Sequence, residues 1–377
     1  MPNLNLKNFA KIKDSNFDIK DITVFAGKPG TGKSYIMKTI YAIDECYYKY
    51  NEDNIMIKDD VDHLSQEINL LRETVSKYKI DKAEIPTEIF LDIHSKLNNI
   101  QTRQDKHKKF VEMNKQKTDA DIFKNIINAI FGDATQISSK FKIKYNNNII
   151  NYNASDFHIK IDKNNLPMNN IFVETPLILE FKQFMNREEG KTPYHIESLL
   201  KILDKDYSFT DNEQDRFIKS FIEKSKNIIG GSIKNSGDSF IFKTSTTDYN
   251  IVNASSGIKS IGLLQYLVTN KALKKGSTLF WEEPEVHLHP TWQLKMIDLF
   301  IELMNAGVKI VFSTHSPFMA DYLNAKTTKE KFRDRISFNL LSEEKGVVSN
   351  TILDDSNWNL LQSELLNPLE EIMWEYL

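Results

Sequence analysis

An α/β core interrupted by a long helical insertion is the fold class this sequence predicts, and three observations predict it. An apolar run at 22–26 ends in a glycine-rich octapeptide and is followed by a helical run at 35–42. A second apolar run, 278–281, ends in the acidic tip Glu282-Glu283-Pro284-Glu285, and a third, 308–313, ends in Thr314-His315-Ser316-Pro317. Apolar strand, tight turn and helix in that order is the local grammar of a sheet flanked by helices. Position 255, where a small-residue block opens another helical run, lies 221 residues beyond position 34, so something is inserted.

Composition bounds the rest. The 377 residues suffice for one large domain with an insertion, or for two domains. With 49 Lys and Arg against 52 Asp and Glu, the formal net charge is −3, so no global charge draws the chain to nucleic acid or an anionic membrane. The first residues lack the charged start and continuous apolar stretch of a signal peptide, and no later run reaches membrane-spanning length. A soluble cytoplasmic protein without membrane contact is the expectation. Cys46 is the one cysteine, which excludes an intrachain disulfide and a Cys-x-x-Cys zinc site and leaves it as a buried helix residue.

The octapeptide is Gly27-Lys28-Pro29-Gly30-Thr31-Gly32-Lys33-Ser34, a complete G-x-x-x-x-G-K-[ST] phosphate-binding loop in the strand-to-helix setting that the motif requires. Its glycines let backbone N–H groups turn inward around phosphates, and the following helix adds its positive N-terminus. The ligands this implies are ATP and Mg²⁺: Lys33 reaches the β- and γ-phosphates and the Ser34 hydroxyl ligates the metal. Thr39, further along the same helix, is grouped with the nucleotide contacts. Carboxylates at the tip of an apolar strand are where such a fold places a metal-assisting acid and a water-activating base, here Glu282 and Glu283. His315, at the next strand end, is placed to contact a γ-phosphate or to orient the attacking water. Ser255-Ser256-Gly257, opening the helical run 258–270, offers free N–H groups and forms a second anion site.

These elements, in this order, resemble the ABC-type ATPase family: Ser255-Ser256-Gly257 is similar to its signature motif, 278–283 to its Walker B strand and His315 to its switch histidine. The stretches Glu282 to Pro290 and Ser313 to Pro317 resemble more closely the OLD-like and SMC-related AAA ATPases of bacterial defence modules. The resemblance covers roughly 1–45 and 225–325. It implies an ABC-type P-loop core, a mixed sheet with flanking helices, in which Ser34 and Glu282 hold Mg²⁺, Glu283 is the general base, and Ser255 and Gly257 contact the γ-phosphate of a nucleotide held by another subunit. It also implies an ATP-dependent homo-oligomer and a separately encoded effector, a nuclease or toxin, as in PARIS-like or Septu-like pairs. Two departures stand out: Glu282 replaces the family's usual Asp, and Ser256 and Ile258 replace a Gly and the Gln of the full signature. Gln136 is the candidate for the family's Mg²⁺-side Gln. His287 and His289 near three carboxylates invite a zinc reading, but the resemblance gives their segment a structural place beside the subunit interface.

Within the insertion, Val61, Leu64, Ile68, Leu71, Val75 and Tyr78 step by three and four, Pro86 breaks the run, and Phe90, Ile93, Leu97 and Ile100 resume it. The pair reads as a helical hairpin or short coiled coil, so the expected organisation is a discontinuous core, 1–50 and 140–377, with an arm at 55–135. Residues 103–117 carry six Lys or Arg against two acids, which reads as a solvated helix face or as a contact for nucleic-acid phosphates or an acidic protein. Beyond it, 141–185 reads as short strands with Asn-rich turns at 145–153 and an extended run at 170–181, 194–229 as helix, and 240–243 with 249–252 as a strand pair. The tail 360–377, with Trp374 and Tyr376, is apolar enough on one face to dock on the core. Only 62 residues follow His315, so no nuclease of the chain's own is expected. Phe9 and Phe17 are the aromatic residues upstream of the loop that either stack on a base or join the core. Three rivals remain open: a DNA-end-binding SMC-like ATPase, a transporter energiser, against which the long insertion counts, and a weakly hydrolysing ATP-dependent scaffold.

Overall fold

Five parallel strands form one end of the chain's main sheet. They are β3 (Ile22–Gly27), β7 (Asn170–Val173), β11 (Thr278–Trp281), β12 (Lys309–Thr314) and β13 (Ile336–Glu344), in the lateral order β13-β3-β12-β11-β7. The structure is a computed structural model that describes residues 3–46, 119–132, 137–153, 156–160, 169–182, 192–204, 212–237, 239–366 and 373. Each of the five is buried on both faces, as continuous apolar runs require. Alternate residues feed separate cores: Val24, Ala26, Val173, Leu279, Trp281 and Phe312 go to one, and Phe25, Phe172, Phe280 and Val311 to the other. The register sets Trp281 opposite both Val173 and Phe312, and Thr314 opposite Ala26. The strands therefore end together, and the residues just past their ends meet along one edge.

The remaining strands continue the sheet with antiparallel pairing. A turn through Lys345 and Gly346, both at positive φ, joins β13 to β14 (Val347–Leu353). β14 meets β2 (Ile12–Phe17) in parallel, and β2, β1 (Leu4–Phe9), β4 (Lys140–Tyr145), β5 (Asn148–Asn153) and β6 (Asp156–Lys160) follow as a meander. The result is the mixed sheet with flanking helices that the motifs imply. The Asn-rich segment 145–153 is corrected: the turn takes only 146 and 147, and 148–153 is β5, because Asn148, Ile150 and Tyr152 alternate into the core. The extended run 170–181 also divides, since Pro176 stops the strand.

The helices of the chain are α1 (33–46), α2 (Asp119–Phe131), the short α3 (Ile178–Phe181), α4 (Tyr194–Asp204), α5 (Asn212–Ile229), α6 (Ser256–Thr269), α7 (Pro290–Asn305), α8 (Pro317–Glu330) and α9 (Asn359–Leu365). α1 buries Ile36, Met37, Ile40 and Tyr41, with Cys46 in the same core. α2 lay inside the expected arm, yet Phe123, Ile126 and Ile127 are buried beside α1 and the antiparallel strands, so it is a core helix. The stepping pattern at 61–100, the basic segment 103–117, Gln136, Trp374 and Tyr376 lie outside the described residues.

A second sheet, β8 (Ser232–Ser236), β9 (Ser239–Lys243) and β10 (Asp248–Asn250), packs on α6. The expected strand 249–252 stops at 250, where the Asn250 side chain accepts from Val252 N and starts a 3₁₀ turn. Inside α6, Gln265 is buried but satisfied: its carbonyl accepts from Ile233 N and its amide donates to Ser225 Oγ. At the C-terminal side, Leu361 of α9 is fully buried, and Trp358 meets Phe338 edge-on while donating to Asp321. The described part of the tail thus docks on the core. Among the described residues, no helix is long and apolar enough to cross a membrane.

Candidate functional site

The phosphate loop leaves β3 at Gly27, whose φ is +139° and where a Cβ would stand 2.2 Å from the Leu341 carbonyl oxygen of β13. No side chain fits there. Lys28, Pro29 and Gly30 are exposed, while Gly30 and Gly32 take positive φ to turn the loop back, and Thr31 Oγ1 braces it on the Lys28 carbonyl at 2.9 Å. Lys33 lies inside the loop, donating from Nζ to the Gly27 and Lys28 carbonyls at 2.9 Å each. Burial pushes its ammonium down to about 8, against the pull of Glu283, Glu285 and Glu282. Outside the loop, Glu364 of α9 pairs with Lys28 at 3.8 Å. Thr39 is fully buried and its hydroxyl is bonded to the Tyr35 carbonyl, so it stands apart from the loop's inner surface.

Glu282 follows β11 directly, with its amide held by the Val173 carbonyl. Its side chain is 13% exposed, Ser34 hydrogen-bonds it, Lys38 stands 4.0 Å away, and one oxygen, Oε1, is buried with no hydrogen-bond partner. Burial pushes its carboxyl up to about 7, with Glu174 and Glu283 adding and Lys38 and Ser34 opposing. An orphaned buried carboxylate oxygen beside a P-loop serine hydroxyl is a donor set that suits Mg²⁺, a cation held by one or two carboxylates plus phosphate oxygens and water. The residues present therefore fit the metal. The longer Glu in place of Asp still places its carboxyl against Ser34.

Glu283 occupies φ +44°, a costly conformation for a non-glycine residue. Its N–H donates to Ser313 Oγ at 3.2 Å, and its carboxylate lies 3.2 Å from His315 Nε2. Burial lowers the His315 pKa, as does neighbouring Lys33, while Glu283 and the Gly27 carbonyl pull the other way. Glu285 fixes the histidine's backbone, accepting from His315 N at 2.6 Å and from Thr314 Oγ1 at 2.9 Å. Ser316 Oγ then donates to Gln293, whose amide donates to the Leu288 carbonyl, which ties the switch strand to the His-Leu-His-Pro segment. Within that segment, His289 caps α7 by accepting from Thr291 N.

Sequence reasoning missed one cluster. Glu174 ends β7 as Glu282 ends β11, one strand over. Lys38 of α1 pairs with it at 3.2 Å, and His195 of α4, 2% exposed, hydrogen-bonds the same carboxylate oxygen. The His195 bond, with help from Lys38, holds the Glu174 carboxyl at about 2 despite burial. Its signal was an apolar run, 171–173, closed by Glu, the same pattern that marked Glu282.

Ser255, Ser256 and Gly257 sit elsewhere. Ser255 is exposed and caps α6, accepting from Ile258 N, and buried Lys259 anchors the turn through Glu180 and the Val252 carbonyl. Gly257 packs against Trp292 and Leu288, where a Cβ would meet the indole at 3.1 Å. Among the described residues, no hydrogen bond or ion pair joins this block to residues 27–34 of the same chain.

Phe9 and Phe17 are core residues, 1% and 0% exposed.

No curated protein matches the chain. Solved structures similar to it include an SMC head bound to the C-terminal winged-helix domain of ScpA (12% identity, 94% of this chain and 98% of that one, TM-score 0.46). Others are the SMC head domain from Thermotoga maritima (13%, 93% and 98%, 0.41) and the ATP-binding cassette of an ABC transporter in its ADP conformation (12%, 98% and 96%, 0.38). At these values the likeness carries no argument of its own. The family described as "AAA domain, putative AbiEii toxin, Type IV TA system" matches residues 22–321, from the first residue of β3 into α8. With the loop, the acidic strand tip and the switch histidine all inside that span, the chain belongs to this AAA-domain family of P-loop ATPases.

Proposed function

We propose that the chain is a magnesium-dependent ATPase that closes head to tail with a second copy around two ATP molecules, and that this closure governs a separately encoded nuclease or toxin in a defence module. The observation that carries the hydrolytic part is the placement of Glu283, held by Ser313 and His315 next to a loop whose lysine lies inside it. ATP phosphates take the place of the Gly27 and Lys28 carbonyls on Lys33. Ser34 and Glu282 would hold Mg²⁺, which when bound neutralises charge on the β- and γ-oxygens. Glu283 accepts the proton of a water whose oxygen bonds to the γ-phosphorus as the bond to ADP breaks, releasing phosphate. His315, kept neutral by burial and Lys33, orients Glu283.

The start of α6, where Ser255 is exposed, supports the head-to-tail part, since a helix N-terminus there suits an anion and, among the described residues, its own loop makes no hydrogen bond or ion pair with it. The effector rests on the resemblance of residues 282–290 and 313–317 to defence-module ATPases. The test is the solution mass of wild type and Glu283→Gln with and without ATP and Mg²⁺, with the neighbouring gene product co-expressed. An ATP-driven larger assembly that carries the neighbour along supports the reading. A mass indifferent to ATP sinks the sandwich, and salt-sensitive DNA binding in its place would favour the DNA-end-binding reading.

A further inference from the structure

The loop accounts for the phosphates and leaves the base without a contact. Phe9 is edge-on to Phe141 and Phe17 to Phe25, each inside the core, so neither has a free face. Tyr35 differs. It directly follows Ser34 in the first turn of α1, is 39% exposed, and lies with its ring 5.1 Å from that of Phe131 at a 42° tilt. Phe131 is the last residue of α2 and is half-buried on the core that α1 and the antiparallel strands share. The ring is thus propped on one side and open on the other.

Its position fits the ligand's direction. Glu283 and His315 mark the γ-phosphate end of the site, on strands β11 and β12 to one side of β3. The sugar and base must leave at the other end of the phosphate chain, past Ser34 and the start of α1. Phe181 and Phe318 are the other large exposed aromatic residues among those described. Phe318 follows His315 at the γ-phosphate end, and Phe181 closes α3, outside the loop.

We propose that Tyr35, backed by Phe131, is the platform on which the base of the nucleotide stacks. The proposal rests on the reading of residues 27–34 as a nucleotide loop. A bare aromatic face reads the breadth of a base and not its hydrogen-bonding edge, so ATP and GTP bind alike and both bind better than the phosphate chain alone.

The test is calorimetric binding of ATP, GTP and inorganic tripolyphosphate, with Mg²⁺, to the full chain as wild type, Tyr35→Phe, Tyr35→Ala and Phe131→Ala, each checked for an intact thermal transition. Tyr35→Ala is expected to weaken ATP and GTP about tenfold and leave tripolyphosphate unchanged, with Tyr35→Phe close to wild type and Phe131→Ala about threefold weaker. ATP binding that survives Tyr35→Ala, or a loss that falls equally on ATP and tripolyphosphate, overturns the platform while leaving the loop in place. A wild type that binds neither ATP nor tripolyphosphate overturns the loop reading, and the platform with it. If Tyr35→Ala does not fold, Tyr35→Leu replaces it and is held to the same outcomes.

Discussion

Glu174 and Glu282 end adjacent parallel strands in the same register, yet their surroundings are opposite. Glu174 has both Lys38 and His195 on one oxygen and is held at about 2. Glu282 has an oxygen with no hydrogen-bond partner and is pushed up to about 7. A cation that would satisfy both is present, but Lys38 stands closer to Glu174, at 3.2 Å against 4.0 Å. The corner at β7 is finished by the protein itself, whereas the tip of β11 is left for a ligand to complete. On the proposed reading, that difference separates a supporting carboxylate from one that would hold the metal more sharply than residue type could.

The strongest way to probe the unfinished tip is to disable its base. Glu283→Gln is expected to lower kcat by about 10²- to 10⁴-fold while ATP binding persists, because Gln keeps the shape and cannot take a proton. Single-turnover hydrolysis beside equilibrium binding checks this, and parallel losses of both would remove Glu283 from the chemistry.

The pH dependence of stability tests the comparison directly. In chelator, native Glu282 keeps a proton between its usual 4.5 and about 7, where the unfolded chain has lost it. Stability therefore falls as pH rises across that window, by up to roughly 3 kcal/mol, and levels off above it. Asp44, also raised to about 7 by burial, adds a slope of the same sign, so the measurement is the difference between wild type and Glu282→Gln in denaturant titrations. Glu174 behaves oppositely: its contribution is in place above 4.5 and disappears as pH falls toward about 2. A Glu282→Gln variant with an unchanged slope would contradict the assignment.

Breaking the finished corner has a smaller effect. Glu174→Gln frees Lys38 to turn to Glu282, where it competes with the metal, and the Mg²⁺ concentration giving half-maximal ATPase is expected to rise about tenfold. A metal requirement that stays put would make Glu174 and His195 packing elements alone. The mildest change lies away from both: Gly257→Ala must move the Trp292 ring by a few tenths of an ångström, costing about 1 kcal/mol, seen as a thermal shift of about 1–2 °C with single-chain ATP affinity intact.

The parts of this site that could be read from the sequence are those where one short segment carries its own geometry. Residues 27–34 specify strand, turn and helix within a dozen positions, and the carboxylates after Trp281 announce a strand tip. Glu174 shows the same short apolar run closed by Glu, but that it stands beside Glu282 depends on the pairing of Val173 with Trp281, more than a hundred residues away, which the local run does not encode. Lys38 and His195 were hidden for the same reason, on two helices that the fold brings together over that edge. At 145–153, Asn-rich composition outweighed a weak period-two alternation, and a strand was read as a turn. α2 fell inside the arm's expected bounds, 55–135, and its burial places it with the core that α1 and the antiparallel strands share.

The contact between Gly27 and Leu341 has a consequence for where this domain can be cut. β13 lies beyond residue 321, where the family match ends, yet it forms one wall of the phosphate loop and is the strand through which β14, β2, β1 and the outer meander join β3. A fragment trimmed to residues 22–321 would keep every motif but lose β1, β2, β13 and β14, and with them the link between β3 and the strands β4 to β6. β3, at the heart of the site, would become a bare edge, a template for pairing with other chains. Such a fragment is expected to aggregate, so the unit that the motifs outline is smaller than the unit that folds.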